Sequence, residues 1–599
     1  MKKKVISILL CLILTTSLFA GCGKDNDDKE TSKSNGATVT KGATDTAKDT
    51  DTAKGAEKYK EFLTVDVFDS QANYQGIQSG WFGKIIKDKF NMELNIIAPN
   101  VAGGGDTLLQ TRSAAGNLGD LILTTTASGR LQDLVTAGLV VDMTELMKGK
   151  ENLAKYQGAI DFTNGKMVKE QGIWAIPSEV SERPATDRLG GTILNFGTYI
   201  RWDLYKELGY PEMGTLEDLL PVMKDMQDKA GLSDSGKKVY AFSLFKDWDG
   251  DVMLAANQIP SMYGYNPIGY AYAKADDSVE PQSTIDSNSL YVRGLKFFYQ
   301  ANQMGLLDPE STTQNYDTLS EKYKDGAVLW SPWPWLSSNY NTPNHTGEGK
   351  AFNTAEIKDF EIYAWGCYAK GNPNNAIMIG SKAKDPQRLM DFIDWLYSPE
   401  GNEMSYVGSM SGIKGLMWDV VDGKPQLTEF GKECMTNGDK TMMPEEYGGG
   451  TFRDGCEALN YKVLSDGEIN PETGYPYNYQ LWESFISTTL TDIDKDWQDH
   501  MKAPNAAEFF NTNNQIVVSP GSGYAIPSED SNIKTLRSQI KATIVEYSWK
   551  AVFAKDEEEF NKYIKDMQET TTGLGYEEVL AFDLANVEQQ KQARIEVSK

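Results

Sequence analysis

The sequence predicts an α/β protein whose folded part divides into two lobes. Its first apolar segments have strand, helix and strand patterns in turn: 61–68 (EFLTVDVF) alternates apolar and polar positions, 81–90 (WFGKIIKDKF) is amphipathic, and 91–99 (NMELNIIAP) resembles the first. Such alternation favours a sheet with parallel strands. The folded part holds about 540 residues, which is more than one hydrophobic core usually contains, so two lobes are expected.

The later segments are mostly helical in pattern. An apolar strand is predicted over 120–126, followed by helices over 129–147 that break at Gly138. Longer helices, several with an N-capping Thr, Ser or Asp before them and a glycine after them, are predicted over 215–231, 289–305, 385–401 and 531–553.

The N-terminus has the layout of a secretory signal peptide over 1–21. A lysine-rich start precedes a short apolar run, and LFAGC (18–22) resembles a bacterial lipobox, in which Cys22 would carry the lipid. An ordinary signal peptide cut elsewhere is the alternative. Residues 22–58 are polar and contain almost no large apolar side chain, so we expect a disordered, lipid-anchored tether.

The charge and the cysteines exclude several classes of function. The chain has 85 acidic and 59 basic residues and a net charge of −26, which argues against a nucleic-acid partner. Cys367, Cys434 and Cys456 lack the spacing of a metal site, and a bridge between Cys434 and Cys456 is possible but cannot be deduced. The stretch 231–242 offers Asp234 alone among lysines, so no calcium site, other metal site or cofactor is expected.

Residues 327–340 (AVLWSPWPWLSSNY) place tryptophans between prolines. Prolines at this spacing break a helix and remove ladder donors from a strand. The rings of Trp330, Trp333 and Trp335 could therefore fill a core at a strand end, or they could form a platform for a ligand.

Several segments, in order along the chain, resemble the extracellular solute-binding proteins of bacterial ABC importers, specifically the large lipoprotein branch associated with oligosaccharides. The segments are GNLGDLILTTT (116–126), YIRWDLYKELGYPEMGTLEDLL (199–220), GLLDPE (305–310), EKYKDGAVLW (321–330) and LMDFIDWLYSPEGNEMSYVG (389–408).

The resemblance implies a type II, two-lobe periplasmic-binding-protein-like fold with a cleft between the lobes, which closes on ligand by hinge motion. The first lobe would hold approximately 59–180 and 358–420, and the second 181–357 and 421–599. The implied function is to capture oligosaccharides and deliver them to the permease subunits of an ABC importer. The protein would be a monomer, lipid-anchored at the extracellular face of the cytoplasmic membrane.

The resemblance also implies site residues. GAVLWSPWPWL (326–336) is similar to a segment of maltose-type binding proteins in which the first of two paired tryptophans faces the sugar. Carried over, Trp333 faces the ligand and Trp335 packs beneath it. Replacing Trp333 by Ala would then lower sugar affinity and leave the melting temperature nearly unchanged.

Loops after parallel strands line such clefts. They offer side chains that bind sugar hydroxyls but that also serve as turn formers or N-caps: Asp69, Gln71, Asn73 and Tyr74 after the first strand, and Thr124, Thr125, Thr126 and Ser128 after the strand at 120–126.

Other tryptophans divide between site and core. Trp248 beside Asp249 is an aromatic–carboxylate pair suited to sugars, or else an exposed turn, and Trp365 is a further candidate near the presumed second crossing. Trp202, Trp395 and Trp549 have apolar neighbours at helical spacing, which predicts core positions.

Other functions remain open on the sequence alone. A lipid-anchored glycoside hydrolase would also show tryptophans and carboxylates, although the chain lacks the rhythm of a barrel enzyme. A non-sugar solute such as a peptide is possible, and a surface adhesin would be expected to show repeats, which the sequence lacks. Arg183 and Arg188 near the first crossing keep acidic sugars open.

Overall fold

The computed structural model describes residues 58–102, 105–405, 410–465, 467–524 and 526–599. The predicted signal peptide, almost all of the predicted tether and Cys22 lie outside these residues. No helix among the described residues has the length and apolar character needed to span a bilayer.

The strands are β1 (Leu63–Asp69), β2 (Gly76–Ile77), β3 (Met92–Ile97), β4 (Leu121–Thr124), β5 (Ile176–Ser178), β6 (Thr198–Arg201), β7 (Tyr265–Ile268), β8 (Ala271–Lys274), β9 (Gln282–Ser283), β10 (Trp330–Ser331), β11 (Phe352–Ala355), β12 (Ile362–Trp365), β13 (Asn372–Ile379), β14 (Trp418–Val421), β15 (Lys424–Leu427), β16 (Ile469–Asn470), β17 (Tyr475–Pro476) and β18 (Ile516–Ser519).

The α-helices are α1 (Gly80–Phe90), α2 (Pro99–Ala102), α3 (Gly105–Ala114), α4 (Arg130–Thr136), α5 (Glu151–Ala154), α6 (Gln157–Met167), α7 (Trp202–Glu207), α8 (Leu219–Ala230), α9 (Leu254–Met262), α10 (Leu290–Gln303), α11 (Tyr316–Lys324), α12 (Pro334–Ser337), α13 (Pro343–Gly347), α14 (Pro386–Leu396), α15 (Pro399–Met404), α16 (Glu429–Asn437), α17 (Glu483–Thr489), α18 (Asp492–Met501), α19 (Ala506–Thr512), α20 (Ser531–Val552), α21 (Glu557–Gly573) and α22 (Tyr576–Val597).

A mixed sheet forms the centre of the first lobe, with strand order β2-β3-β1-β4-β13-β5. Strands β3, β1 and β4 are parallel, as the sequence pattern predicts, whereas β13 returns from much later in the chain and runs antiparallel to β4 and β5. Side chains alternate between the two faces: Val67 and Leu123 pack in one core cluster, and Phe68 and Ile122 in the other.

Most of the predicted elements are confirmed. The first strands and the intervening helix appear as β1, α1 and β3, and the longer helices appear as α8, α10, α14 and α20. The helix predicted after Gly138 is wrong. Val140 instead forms an isolated bridge with Gly380, directly after β13 of the first sheet, and turns follow it. The apolar run there packs against a sheet, which overrides its helical spacing.

The second lobe is built on the antiparallel sheet β10-β6-β11 and a large surrounding core. Isolated parallel bridges at Tyr240–Val328 and Phe242–Leu307 extend this sheet. Trp202 is fully buried in this core, as predicted, and its indole N–H donates to Asp496 at 2.9 Å. The C-terminal helices α20, α21 and α22 pack on the same core.

The chain crosses between the lobes along segments that lie side by side. The N–H of Gly521 donates to Ala185 O at 3.0 Å, and that of Cys367 donates to Asp187 O at 2.8 Å. A Cβ at Gly366 would lie 2.0 Å from Ala185 O, so only glycine allows this close approach. These backbone contacts hold the crossing segments in one narrow layer.

The packing moves the lobe borders that the sequence predicted. We expected the second lobe to hold 421–599, but buried residues from Cys434 to Tyr477 pack in the first core. We expected the first lobe to resume at 358, yet Ile362 packs in the second core. The hydrophobic pattern of the sequence indicates which residues are buried, but it does not indicate which of the two cores they pack in. Cys434 and Cys456 are free, buried thiols, so the bridge that the sequence left open is not formed.

Candidate ligand-binding cleft

An aromatic wall on the second lobe consists of Trp248, Tyr316 and Trp335. Trp248 is 48% exposed and stacks on Tyr316 with ring centroids 4.6 Å apart. Trp335 is 44% exposed, and its ring lies 5.9 Å from that of Trp248. Phe245 packs edge-on beneath Trp248. The wall therefore presents large ring surfaces to solvent, and these rings are supported by the aromatic rings packed beneath them.

The proline-rich turn is held by its own side chains. Ser331 ends β10, its hydroxyl donates to Trp333 O at 2.9 Å, and it accepts the N–H of Trp333 at 3.1 Å. Trp333 then occupies the N-cap of α12, and Pro334 the first helical position, where a missing N–H is tolerated. The sequence WSPWPW thus turns the chain from a strand directly into a helix that presents Trp335.

The exposures of the paired tryptophans are the reverse of the expectation. Trp333 is only 9% exposed, and its indole N–H donates to Gln258 Oε1 at 3.1 Å. The ring of Trp335 stacks on that of Trp333 with centroids 5.2 Å apart. Trp333 therefore supports the wall, and Trp335, which was expected to pack beneath, forms its surface.

Asp249 is beside the wall, but its oxygens already have partners. Oδ1 accepts the N–H of Leu254 at 2.8 Å, and Oδ2 accepts the indole N–H of Trp549 at 2.7 Å. Burial raises the pKa of this carboxyl, while the two donors lower it. Trp549, predicted as a core residue, is half-buried and fixes this acid.

The loop after β18 links the second lobe to the first. Glu529 pairs with Arg537 at 2.5 Å, and Arg537 also lies 3.5 Å from Asp251, close in sequence to Trp248. On the other side, the hydroxyl of Ser128 donates to Ile526 O at 3.2 Å. The loop after β4 and the loop that carries Trp248 therefore approach the same segment.

The residues after β1 and β4 act mainly within their own loops. Asp69 is fully buried, and its Oδ1 accepts the N–H groups of Gln71 at 2.8 Å and Ala72 at 3.0 Å. Burial raises the pKa of Asp69 to about 7. Buried Thr124 bonds the hydroxyl of Ser70 at 3.1 Å.

Thr125 and Thr126 also belong to the local structure of the loop after β4. The hydroxyl of Thr125 accepts the N–H of Ala127 at 3.0 Å, and Thr126 is fully buried. The structure therefore places Thr125 in the turn-forming role that the sequence left open beside ligand contact.

Asn73 and Tyr74 line a first-lobe pocket with residues from much later in the chain. The pocket has a volume of about 750 Å³, and its other lining side chains include Arg453, Asp454 and Asn460. Tyr74 is 41% exposed. Exposed Gln71 contacts this region through its backbone, since Asn460 Nδ2 donates to Gln71 O at 2.9 Å.

Trp365 lies at the end of β12, where the chain crosses back to the first lobe. It is half-buried against Phe196 at a centroid distance of 5.3 Å, and its carbonyl accepts the N–H of Leu189 at 2.6 Å. The neighbouring guanidinium of Arg188 donates to the carbonyls of Leu189 and Gly191, and burial lowers its pKa. These contacts place Trp365 among the segments that cross between the lobes.

Sequence reasoning missed several residues of the candidate site. Trp335 was assigned beneath the wall, Tyr316 was not singled out, and Arg453 and Asn460 carried no motif. Trp335 was visible as one of a pair with Trp333, but its exposure depends on the contacts that bury Trp333. Nothing local marks the others, which depend on tertiary packing.

No protein-family model matches the chain, and no curated protein sequence matches it. Solved structures do match over most of its length. A substrate-binding protein of an ABC transporter from S. pneumoniae (FusA), in complex with kestose, is 14% identical, with 88% of this chain and 100% of that chain covered and a TM-score of 0.55.

Two further structures match over a similar extent. A solute-binding protein from Bifidobacterium longum infantis that binds HMO and is associated with an ABC transporter is 14% identical, covering 88% and 99% of the chains with a TM-score of 0.53. An alginate-binding protein solved without calcium is 15% identical, covering 88% and 98% with a TM-score of 0.51. The chain therefore has the two-lobe α/β fold of these solute-binding proteins.

Proposed function

We propose that this protein is a substrate-binding lipoprotein that captures oligosaccharides and delivers them to the permease of an ABC importer. The observation that carries the proposal is the aromatic wall, in which Trp248 and Trp335 keep about half of their surface exposed on a packed base. A contiguous group of exposed aromatic rings is typical of a binding surface.

The chemistry of the candidate cleft suits a sugar. A pyranose has an apolar C–H face and a rim of hydroxyl groups, so it needs flat aromatic surfaces and a few aimed polar partners. The aromatic wall supplies the first, and exposed polar side chains such as Asn73 in the loop after β1 would supply the second. The names of the matched structures, which mention kestose, HMO and alginate, agree with this class of ligand.

The proposed setting is the extracellular face of the cytoplasmic membrane. Cys22 would carry the lipid, and residues 22–58 would give the folded part freedom to reach the permease. The lobes would close on the bound sugar, and the closed monomer would dock on the permease.

The proposal is capture without bond cleavage. A glycoside hydrolase needs two carboxyl groups set across the scissile bond. In the candidate cleft, Asp249 is held by Trp549 and Leu254, and Asp69 is fully buried in its loop. Neither acid is placed to reach a glycosidic oxygen.

A calorimetric titration of the purified protein against a glycan panel, including acidic glycans and peptides as competitors, tests the proposal. We expect saturable binding of an oligosaccharide that is recovered with no new reducing ends. Binding of peptides alone would mean that the ligand is a peptide and not a sugar. Steady release of shorter sugars would mean that the protein is a hydrolase.

A further inference from the structure

We infer that the face of the first lobe around the start of β1 is a docking surface for an anionic lipid bilayer. This surface, the lysine patch, consists of Lys60, Phe62, Lys87 and Lys384. The inference goes beyond the proposed function. It rests on the proposed lipid anchor but not on the class of ligand that the cleft binds.

The predicted tether meets the folded part at this face. Lys58, the first described residue, pairs with Asp391 of α14 at 2.6 Å, and Tyr59 donates its hydroxyl to the same carboxylate. Asn91 Nδ2 donates to Tyr59 O at 2.7 Å, and the guanidinium of Arg388 lies 4.6 Å from the centroid of the Tyr59 ring. These contacts fix the point where the tether ends, directly before the patch.

The lysines of the patch are exposed and surround one aromatic ring and the start of β1. Lys87 Nζ lies 5.6 Å from the centroid of the Phe62 ring, and Lys384 Nζ donates to Thr64 O at 3.2 Å. Within the described part of the chain, Lys60, Lys87 and Lys384 form no ion pair. Their charges are therefore available to a partner outside the protein.

Most acids near the patch are paired with other cations, namely Asp88, Asp385, Asp391 and Glu400. Glu61 and Glu93 remain, and they offset part of the charge of the three lysines. The patch keeps a positive charge on a chain whose net charge is −26. Because salt screens exposed charges beyond about 8 Å, the local charge decides whether this face can approach an anionic bilayer.

Phe62 supplies an apolar group at the centre of the patch. The ring is 47% exposed and packs on no other aromatic ring among the described residues. An aromatic ring among lysines suits the surface of an anionic bilayer, because the ring enters the boundary between headgroups and acyl chains while the ammonium groups stay with the phosphates.

A weak contact is enough because the proposed anchor keeps the patch near the bilayer. Residues 22–57 lie between the predicted lipid on Cys22 and Lys58. A disordered chain of this length, which the composition predicts, spans roughly 35 Å. Tethering at that distance makes the contact an intramolecular event with a high effective concentration.

Contact through the patch would orient the cleft. The seven residues of β1 lead from the patch to the loop that carries Asn73 and Tyr74, over about 20 Å. Strand β4 is parallel to β1, so its loop lies at the same far edge. Both loops then point away from the bilayer, toward the medium from which a ligand arrives.

The test is lysine footprinting of the mature chain, beginning at Cys22, on lipid vesicles. Because Cys367, Cys434 and Cys456 are buried, a maleimide lipid couples the chain through Cys22. One set of vesicles is phosphatidylcholine alone, and the other contains about one third phosphatidylglycerol. Mass spectrometry follows the acetylation rate of each lysine.

We expect Lys60, Lys87 and Lys384 to be acetylated about fivefold more slowly on the anionic vesicles than on the neutral ones. Lys534 and Lys541, which are exposed on α20 of the second lobe, should react at the same rate on both. Salt at about 1 M, where the screening length is about 3 Å, should abolish the protection.

Variants of the patch separate the two kinds of contact. Phe62→Ala should reduce the protection of the three lysines to about twofold or less, because no ring enters the bilayer boundary. Lys60→Gln combined with Lys87→Gln should likewise reduce the protection of Lys384, because two of the three charges are lost.

Lys534→Gln combined with Lys541→Gln is the matched control, and it should leave the protection of the patch unchanged. Every variant should keep the melting temperature of the wild type. Every variant should also keep its glycan affinity, because the patch lies at the end of β1 opposite the loop with Asn73 and Tyr74.

Equal acetylation of the patch on the two kinds of vesicle, or equal slowing at Lys534 and Lys541, would overturn the inference. Protection by soluble glycerol phosphate without vesicles would also overturn it, since the patch would then bind a free anion. Glycan binding by the same protein is measured separately by calorimetry. Its absence would overturn the proposed ligand class and leave the docking surface standing.

Discussion

The two sides of the candidate cleft are built in different ways. The aromatic wall comes from loops of the second lobe, and its rings support one another: Trp335 lies on Trp333, and Trp248 on Tyr316. The first-lobe pocket is polar and joins segments far apart in sequence, since Gln78 and Cys456 are separated by 378 positions. One side supplies ring surface and the other supplies hydrogen-bonding groups.

The two sides also differ in how the carboxyl groups of their buried or half-buried acids are hydrogen-bonded. Asp249 has a donor on each carboxylate oxygen, whereas Oδ2 of fully buried Asp69 has no hydrogen-bond partner among the described residues. The second-lobe acid is a satisfied support for the wall. The first-lobe acid organises its loop through Oδ1, while its second oxygen is buried without a donor, which makes ionisation of the carboxyl costly.

The largest effect is expected from Trp333→Ala. Because this ring is buried under Trp335 and bonded to Gln258, its loss should lower the free energy of unfolding by about 3–5 kcal/mol and also weaken glycan binding. Urea denaturation and calorimetry measure the two effects. An unchanged free energy of unfolding would mean that Trp333 is an exposed platform for the ligand, as the sequence suggested.

Next come Trp248→Ala and Trp335→Ala on the exposed surface of the wall. Each should weaken glycan affinity about 30-fold, close to 2 kcal/mol, with little change in melting temperature. Calorimetry on both variants, with Phe62→Ala as a matched exposed-ring control, measures this. A loss of stability as large as that of Trp333→Ala would mean that the comparison between surface ring and supporting ring is wrong.

A smaller effect is expected from Trp549→Phe, which keeps a ring but removes the N–H donor to Asp249 Oδ2. A half-buried carboxylate then loses one of its two donors, so we expect about 1–2 kcal/mol of destabilisation. Thermal unfolding measures it, and Asp249→Asn in the same background should recover part of the loss. No change in either variant would show that this hydrogen bond does not support the wall.

A further effect concerns pH and Asp69. Its carboxyl has a pKa of about 7 in the folded protein and an ordinary value of about 3.9 when unfolded. Between these values the folded state holds a proton that the unfolded chain has lost, so stability falls as the pH rises from about 4 to about 7.

The Asp69 prediction is checked by comparison with Asp69→Asn. We expect the wild type to lose roughly 2–4 °C more melting temperature than the variant between pH 5 and pH 8. Glu403, whose pKa burial raises to about 8, contributes equally to both proteins and cancels. Parallel pH profiles would show that Asp69 does not titrate in this range.

Much of the fold could be predicted from the local sequence pattern. The alternation in β1 and β3, the amphipathic α1 and the capped helices α10 and α14 follow from the period of apolar residues, which burial on one face imposes. The same pattern failed at Val140, where a neighbouring strand supplied the partner. It also could not show that Cys434 packs in the first core, because burial does not identify what a residue is buried against.

The candidate site was predictable only where its residues lie close together in sequence. Trp333 and Trp335 were visible as a pair, but which of them is exposed depends on the Ser331 turn and on Gln258. Tyr74 was visible as a loop residue, whereas Arg453 and Asn460 reach it through the contacts of Gln78. No local sequence feature encodes a contact over that separation.

Hydrogen–deuterium exchange with and without a saturating glycan tests most directly whether both sides hold one ligand. The account predicts slower exchange in the peptides that cover 71–79 and 453–460 on the first lobe and 246–250 and 331–336 on the second. Protection confined to one lobe, or none on either, would contradict the claim that the sugar is gripped between them.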